Sequence, residues 1–219
     1  MAALPRPVNE AAGHGHGQNP RMPHPAAFLD RDGVINLDHG YTYRIDAFEF
    51  VPGVLPAAAQ LAALGFALVV VTNQSGIGRG LYTVADFEQL TDWMRAQFAA
   101  AGAPLAGVYW CPHHPTDAVG EYRRACDCRK PAPGLLLQAA SELDLDLPRS
   151  VMFGDRRSDL QAAHAAGVRE RVLLGTDGAA MPVEAEAGGL ATARFASLAD
   201  AVTALAPAWS ATQRTGAAA

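Results

Sequence analysis

A chain of 219 residues, half of them hydrophobic, can bury one sizeable core and hardly two. Its formal net charge of -5 provides no basic field, so nucleic acid and anionic membrane surfaces are not expected as main partners. No apolar run approaches the roughly 18 residues of a membrane span, and residues 1–25 hold no stretch apolar enough for a secretory leader, which makes the cytoplasm the expected location.

Residues 1–24 are rich in Pro, Gly, Ala and His without a helical or strand period, and they read as a disordered tail. His14 and His16 in that tail are not a preorganised metal site. From Ala27 onward, short apolar runs alternate with helical patterns, the rhythm of an α/β protein with a parallel sheet. The strand candidates are Ala27-Phe28-Leu29, Phe66 to Val71, Val108-Tyr109-Trp110, Val151-Met152-Phe153 and Val172-Leu173-Leu174. A helix is expected after Pro52-Gly53, stopping at Gly65. Thr83 with Asp86 resembles a capping box, Phe87, Leu90, Met94 and Phe98 recur at helical spacing, and Gly102 closes that helix. Pro133 suits the first turn of a helix over Leu135 to Leu143, and Ser158 and Ser197 are candidate N-caps for 159–166 and 198–205. The end, 207–219, reads as a second flexible tail around a single domain, 25–206.

The polar residues cluster at strand ends. Asp30 and Asp32 follow the first strand, Thr72 and Asn73 the second, and Gly154-Asp155 the fourth. In an open parallel sheet that edge binds ligands, because strand ends and helix N-termini converge there. Convergent carboxylates need a proton or a hard cation to offset their repulsion, and ligands that are all oxygen point to magnesium. A magnesium that keeps several waters needs few protein ligands, and Asp30, the Asp32 main-chain carbonyl and Asp155 fit that requirement.

All three cysteines lie in 111-CPHHPTDAVGEYRRACDCRK-130. An odd, clustered set is a poor disulfide framework. Cys111 with His113 or His114, then Cys126 and Cys128, gives the four soft or borderline donors of a closed tetrahedral zinc shell. Such a zinc is structural, holding a loop that lacks a core of its own and fixing Arg129 and Lys130, which follow Cys128 directly.

The segments FLDRDGVIN, VVVTNQSGIGRG, CRKPAPG and GDRRSD resemble the four motifs of the haloacid-dehalogenase-like (HAD) phosphatases. Within that superfamily LDRDGVIN with DHGY, then CPHHP and CDCRKPAPG, resembles the D-glycero-D-manno-heptose 1,7-bisphosphate 7-phosphatase family, over about Ala27 to Leu174. The resemblance implies a three-layer Rossmann-like HAD fold, a magnesium-dependent phosphoric monoester hydrolase, and a small sugar-phosphate substrate. It implies that Asp30 is the nucleophile and that Asp32 protonates the leaving sugar oxygen and then activates water. Thr72, the Asn73 backbone N–H and Lys130 are then expected on the transferring phosphoryl group, with Asp155 completing the magnesium shell. It favours His113 over His114 on zinc.

Asp159 is expected either behind the magnesium ligands, supporting them, or, as the favoured reading, at the start of its helix as a stabilising charge, and Arg156 is expected near the substrate phosphate. About forty residues separate the first two motifs, which predicts a capless member. The loops of Asp38, His39, Gly40 and Tyr41, of Asn73, Gln74 and Ser75, and of 111–130 must then cover the substrate, with Arg129 available for a second anionic group. The sequence leaves the anomer open, and with it the pathway, lipopolysaccharide or glycoprotein. A monomer is expected. Histidinol-phosphate phosphatase is the alternative, with a shorter gap before its second cysteine pair than the fifteen positions here; a sugar-phosphate-binding module without catalysis is the alternative of another class.

Overall fold

The computed structural model describes residues 23–175 and 189–216. Its strands are β1 (Ala26–Leu29), β2 (Ala67–Asn73), β3 (Leu105–Cys111), β4 (Val151–Gly154), β5 (Glu170–Leu174) and β6 (Ala193–Phe195). They form one six-stranded sheet in the order β3-β2-β1-β4-β5-β6, and each neighbouring pair is parallel. The helices are α1 (Val54–Ala63), α2 (Ser75–Gly78), α3 (Val84–Ala100), α4 (Gly134–Leu143), α5 (Arg157–Ala166) and α6 (Leu198–Gly216).

Alternation along the strands divides the core between two faces. Ala27 and Leu29 of β1 pack with Leu68 and Val70 of β2 against Leu61, Phe87, Phe98 and Trp209, from α1, α3 and α6. Ala26 and Phe28 pack with Val69 and Val71 against Leu135, Leu136, Ala162 and Ala163, from α4 and α5. Successive strand residues point to opposite faces and both faces are covered, so the strands are continuously apolar. The result is the three-layer α/β architecture that the sequence predicts. Strand order reverses between β1 and β4, and the crevice beyond such a switch is where an open α/β sheet binds ligands.

Local signals are realised in detail at α3, where the Thr83 Oγ1 accepts from the Asp86 N–H at 3.1 Å and Asp86 Oδ2 accepts from the Thr83 N–H at 2.8 Å. The start of α5 differs from expectation. It begins at Arg157 rather than after Ser158, because Asp159 Oδ2 accepts from the Arg156 N–H at 3.0 Å and satisfies the helix end itself. The predicted C-terminal tail is corrected more substantially: α6 runs through Pro207 to Gly216. Trp209 is buried, edge-on to Phe66 and Phe153, and its indole N–H donates to Glu170 Oε2 at 2.8 Å.

Residues 1–22, with His14 and His16, and residues 217–219 lie outside the described residues. His24 bridges to Leu145, and its N–H donates to the Asp144 carbonyl at 3.1 Å. Between β1 and β2 stand a 3-10 turn, Ile45–Ala47, and α1, and among the described residues no separate domain overlies the strand ends. No described helix is long and apolar enough to cross a membrane.

Candidate active site

Asp30 leaves β1 with its N–H bonded to the Phe153 carbonyl of β4 at 3.0 Å, so the two central strands fix its position. The chain then turns tightly. Gly33 sits at φ +85, and a Cβ there would lie 2.3 Å from Asp155 Oδ2, so only glycine lets Asp155 lie against this loop. Carboxylate oxygens of Asp30, Asp155 and Asp159 all fall within 4.8 Å of one another. Lys130 Nζ reaches Asp30 Oδ1 at 2.9 Å and Asp159 Oδ1 at 2.7 Å, and donates to the Val71 carbonyl at 2.8 Å.

One buried cation thus contacts two of the three acids, and it does not balance the charge of all three. Burial pushes the Asp30 carboxyl up to about 7 against the pull of Lys130, with Asp159 and Asp32 adding to the rise. Burial, reinforced by Asp159, pushes Asp155 up to about 6. Burial opposes the charge of Lys130, but Asp159 and Asp30 outweigh it and hold its pKa above the ordinary lysine value. Asp155 Oδ1 is buried with no hydrogen-bond partner. Excess negative charge and an unsatisfied oxygen in a cluster whose donors are all oxygen suit a hard divalent cation such as magnesium.

The Asp32 carboxylate is turned away from this cluster. Its Oδ1 accepts from Arg31 Nε at 3.2 Å and from Asn36 Nδ2 at 3.1 Å, and its Oδ2 accepts from Arg31 Nη2 at 2.9 Å and from Gln74 Nε2 at 3.1 Å. Arg31 is almost wholly buried, donates to the Thr42 carbonyl at 2.7 Å, and lies over the Phe87 ring. Neighbouring acids therefore have different surroundings: Asp30 faces Lys130 and two carboxylates, Asp32 faces only donors.

The end of β2 supplies the rest. Thr72 is buried at the floor, and the Asn73 side chain bonds both ways to the Lys130 backbone, donating to its carbonyl and accepting from its N–H at 3.1 Å each. Asn73 thereby places the lysine. Above them opens a cleft of about 330 Å³ lined by Asp30, Asp32, Asp38, Gly40, Tyr41, Thr72, Asn73, Gln74, Ser75, Arg79, Tyr82, Arg129, Lys130, Arg156 and Asp159. Arg156 pairs with Asp38 at 2.8 Å, which ties the 38–41 loop to the start of α5. Arg79 donates to Asp117 at 2.8 Å and lies over the Tyr41 ring, joining that loop to the cysteine loop.

Most of the expected substrate-site residues converge on this cleft; Asp155 joins the acid cluster without lining it, and His39 stands apart from both. Its Nε2 lies 3.5 Å from Glu49 on the exposed side of the loop. Asp159 does more than serve its helix: Oδ2 caps α5 while Oδ1 meets Lys130. Arg31, Arg79 and Tyr82 were not among the residues singled out in the sequence. A charged residue between two acids was a signal for Arg31, but nothing local indicated that it would point inward.

The cysteine loop closes on itself. Cys111, Cys126 and Cys128 place their sulfurs 3.1 to 3.6 Å apart, too far for a disulfide, whose S–S bond is about 2.05 Å. His113 turns Nδ1 toward them, 3.3 Å from Cys128 Sγ and 3.5 Å from Cys111 Sγ. His114 instead accepts from the Asp117 N–H at 3.1 Å and has no place in the cluster. Hydrogen bonding with Cys111, then with Cys126 and His113, lowers the Cys128 thiol to about 5, while the contact with Cys128 and burial push Cys111 up and burial pushes Cys126 up, so the cluster by itself favours one thiolate, on Cys128. Four donors gathered in this way suit zinc.

A HAD-hydrolase-like family model matches residues 127–203. The chain is 52% identical over 181 residues to the D-glycero-beta-D-manno-heptose-1,7-bisphosphate 7-phosphatase of Salmonella typhi, covering 83% of this chain and 95% of the relative. It is 53% identical over 176 residues to the protein of the same name from Escherichia coli K12, covering 80% and 91%. The solved D,D-heptose 1,7-bisphosphate phosphatase of B. bronchiseptica, complexed with magnesium and phosphate, aligns with a TM-score of 0.69 at 32% identity, covering 84% of this chain and 98% of that one. With half of its residues shared along nearly the whole length of these relatives, the chain belongs to the D-glycero-D-manno-heptose-1,7-bisphosphate 7-phosphatase family of the HAD superfamily.

Proposed function

We propose that this protein hydrolyses the C7 phosphate of D-glycero-D-manno-heptose 1,7-bisphosphate through an aspartyl-phosphate on Asp30, leaving heptose 1-phosphate. The observation that carries the reading is the split between two acids at the end of one strand. Asp30 lies in the acid cluster against Lys130, and Asp32 lies outside it with its carboxylate held by donors.

In the first step an Asp30 oxygen attacks phosphorus, the bond from phosphorus to the C7 oxygen breaks, and that oxygen takes a proton from Asp32. In the second, Asp32 takes a proton from water, the water oxygen attacks phosphorus, and the bond to Asp30 breaks to release phosphate. Taking a proton on Oδ2 displaces the longer arm of the Arg31 Nη2 contact, which holds Oδ1 at 2.8 Å as well, while Gln74 stays on Asp32. The Thr72 hydroxyl, the Asn73 N–H and the Lys130 ammonium stabilise the charge on the phosphoryl oxygens. Asp30, Asp155 and the Asp32 main-chain carbonyl would hold magnesium, which when bound supplies positive charge to the same phosphoryl group.

Zinc on Cys111, His113, Cys126 and Cys128 would fix the loop that delivers Arg129 and Lys130. Arg129 and Arg156, with the 38–41 and 73–75 loops, receive the rest of a small sugar phosphate. Free thiols and a zinc–thiolate cluster suit the reducing cytoplasm, and the site is complete within one chain, as a monomer requires. The test is phosphate release with magnesium from the α and β heptose bisphosphates, with histidinol phosphate beside them. Preferred turnover of either bisphosphate is expected; preference for histidinol phosphate, or no release from any of the three, would refute the assignment.

A further inference from the structure

We infer that Gln74 is a positioning residue for phosphoryl transfer: its side-chain amide ties Asp32 to Thr72 and directs the Thr72 hydroxyl hydrogen into the cleft. The inference rests on the phosphatase reading and adds to it a residue that acts through two others.

Gln74 is almost wholly buried, at 2% exposure, and its side chain is fully used by protein partners. The Nε2 nitrogen lies 3.1 Å from Asp32 Oδ2 and 2.9 Å from Thr72 Oγ1, so each of its hydrogens has an acceptor. Oε1 accepts from the Tyr82 hydroxyl at 2.6 Å. The reverse orientation of the amide would set a carbonyl oxygen against a carboxylate oxygen, so the chemistry of the partners fixes which end faces Asp32.

Tyr82 is itself held in place. Its ring stacks on Tyr43 with centroids 5.0 Å apart and planes 10° from parallel. A Cβ on Gly76 would lie 2.1 Å from that ring, so the glycine leaves the space that Tyr82 occupies. The order of support runs from a stacked tyrosine to an oriented amide, and from the amide to the two groups that meet the substrate.

The consequence for Thr72 follows from counting hydrogens. Its oxygen is already an acceptor for Gln74, and among the hydrogen bonds of the described residues no protein group accepts its hydroxyl hydrogen. Thr72 lines the cleft, so that hydrogen is available to a phosphoryl oxygen. Without Gln74 the hydroxyl is free to rotate, and Asp32 loses the donor that relates it to Thr72. An asparagine would stop short of both acceptors by one methylene.

The test is a double-mutant cycle of Gln74→Met and Thr72→Val, assayed on p-nitrophenyl phosphate with magnesium. Gln74→Met is expected to lower kcat on the order of tenfold to a hundredfold while KM changes by less than about threefold, since the residue acts in the transition state through others. In the double variant the combined loss should fall short of the product of the single losses by about fivefold or more. Multiplicative losses, or a raised KM at unchanged kcat, would overturn the inference. If Gln74→Met does not fold, Gln74→Asn takes its place with the same expected pattern. Because p-nitrophenyl phosphate reports only chemistry at phosphorus, activity on it without activity on heptose bisphosphate would remove the substrate assignment and leave this inference standing.

Discussion

Lys130 and Asp30 face each other at 2.9 Å, yet the pair is not closed, because the same ammonium lies 2.7 Å from Asp159. The lysine therefore serves as a shared counter-charge rather than as one half of a salt bridge. A phosphoryl group entering the site brings more negative charge to a cluster that already holds an excess. Lys130→Met, which keeps the stem and removes the charge, should lower kcat on the order of a hundredfold to a thousandfold. A kcat within tenfold of wild type, in a variant whose circular dichroism is unchanged, would show that this charge does not stabilise the transferring group.

The raised Asp30 and Asp155 pKa values make a statement about stability. An unfolded Asp titrates near ~3.9, whereas burial pushes these two up to about 7 and about 6. Between those limits the native state binds more protons than the unfolded state, so their contribution to stability falls as pH rises from about 4 to about 7. Magnesium competes with the same protons. Added magnesium should therefore raise the melting temperature more at about pH 8 than at about pH 5, and Asp155→Asn should remove most of that difference. Equal shifts at both pH values would show that these carboxylates do not hold the ion.

The C-terminal helix was the least legible element. Pro207 lacks the N–H that an interior helical position uses and costs about 3 kcal/mol there, and 207-PAWSATQRTGAAA-219 holds a single large apolar residue, Trp209, so the segment reads as a tail. What it lacks in pattern it recovers at one residue, Trp209, buried against Phe66 and Phe153 and bonded to Glu170. Trp209→Ala should cost about 3–5 kcal/mol, as loss of a buried Trp usually does. Urea unfolding would measure it, and a change below about 1 kcal/mol would mean that the helix end is not part of the core.

What could be read from the sequence has the same physical basis throughout. Asp30, Thr72 and Asp155 were identifiable because each ends an apolar run, and a sheet edge collects strand ends whatever the rest of the fold does. Cys111, Cys126 and Cys128 were identifiable because their donor chemistry is scarce. The part that escaped depends on contacts between distant segments: Arg31 turning inward to Thr42 and Phe87, Tyr82 reaching Gln74, and Arg79 joining Tyr41 to Asp117. The three-residue strand β6, Ala193–Phe195, carries too little apolar signal to stand out alone.

Two metals should separate on chelation. Mild EDTA is expected to stop turnover reversibly through magnesium without melting the protein, and metal analysis should still find about one zinc per chain. Cys126→Ser should lose that zinc and lower activity with it, because Arg129 and Lys130 follow Cys128 directly. Full activity in a zinc-free Cys126→Ser protein would detach the loop from catalysis.

Arg129 lines the cleft beside Lys130, and its Nη1 donates to the His113 carbonyl at 3.1 Å, so the Cys/His cluster positions this guanidinium through the backbone of His113. The remaining guanidinium donors are available to an anionic group beyond the reacting phosphate. If that group is the C1 phosphate of a bisphosphate, Arg129→Ala should weaken turnover of the bisphosphate strongly and that of a simple sugar monophosphate far less, because the monophosphate has nothing there to lose. The ratio is the informative quantity, since a folding defect or a displaced Lys130 would lower both activities equally. Charge-assisted contacts contribute roughly 1.5–3 kcal/mol, so the preference for the bisphosphate should fall on the order of tenfold to a hundredfold. Measuring kcat/KM for both substrates in both proteins decides it: an unchanged ratio would show that Arg129 does not read the second phosphate.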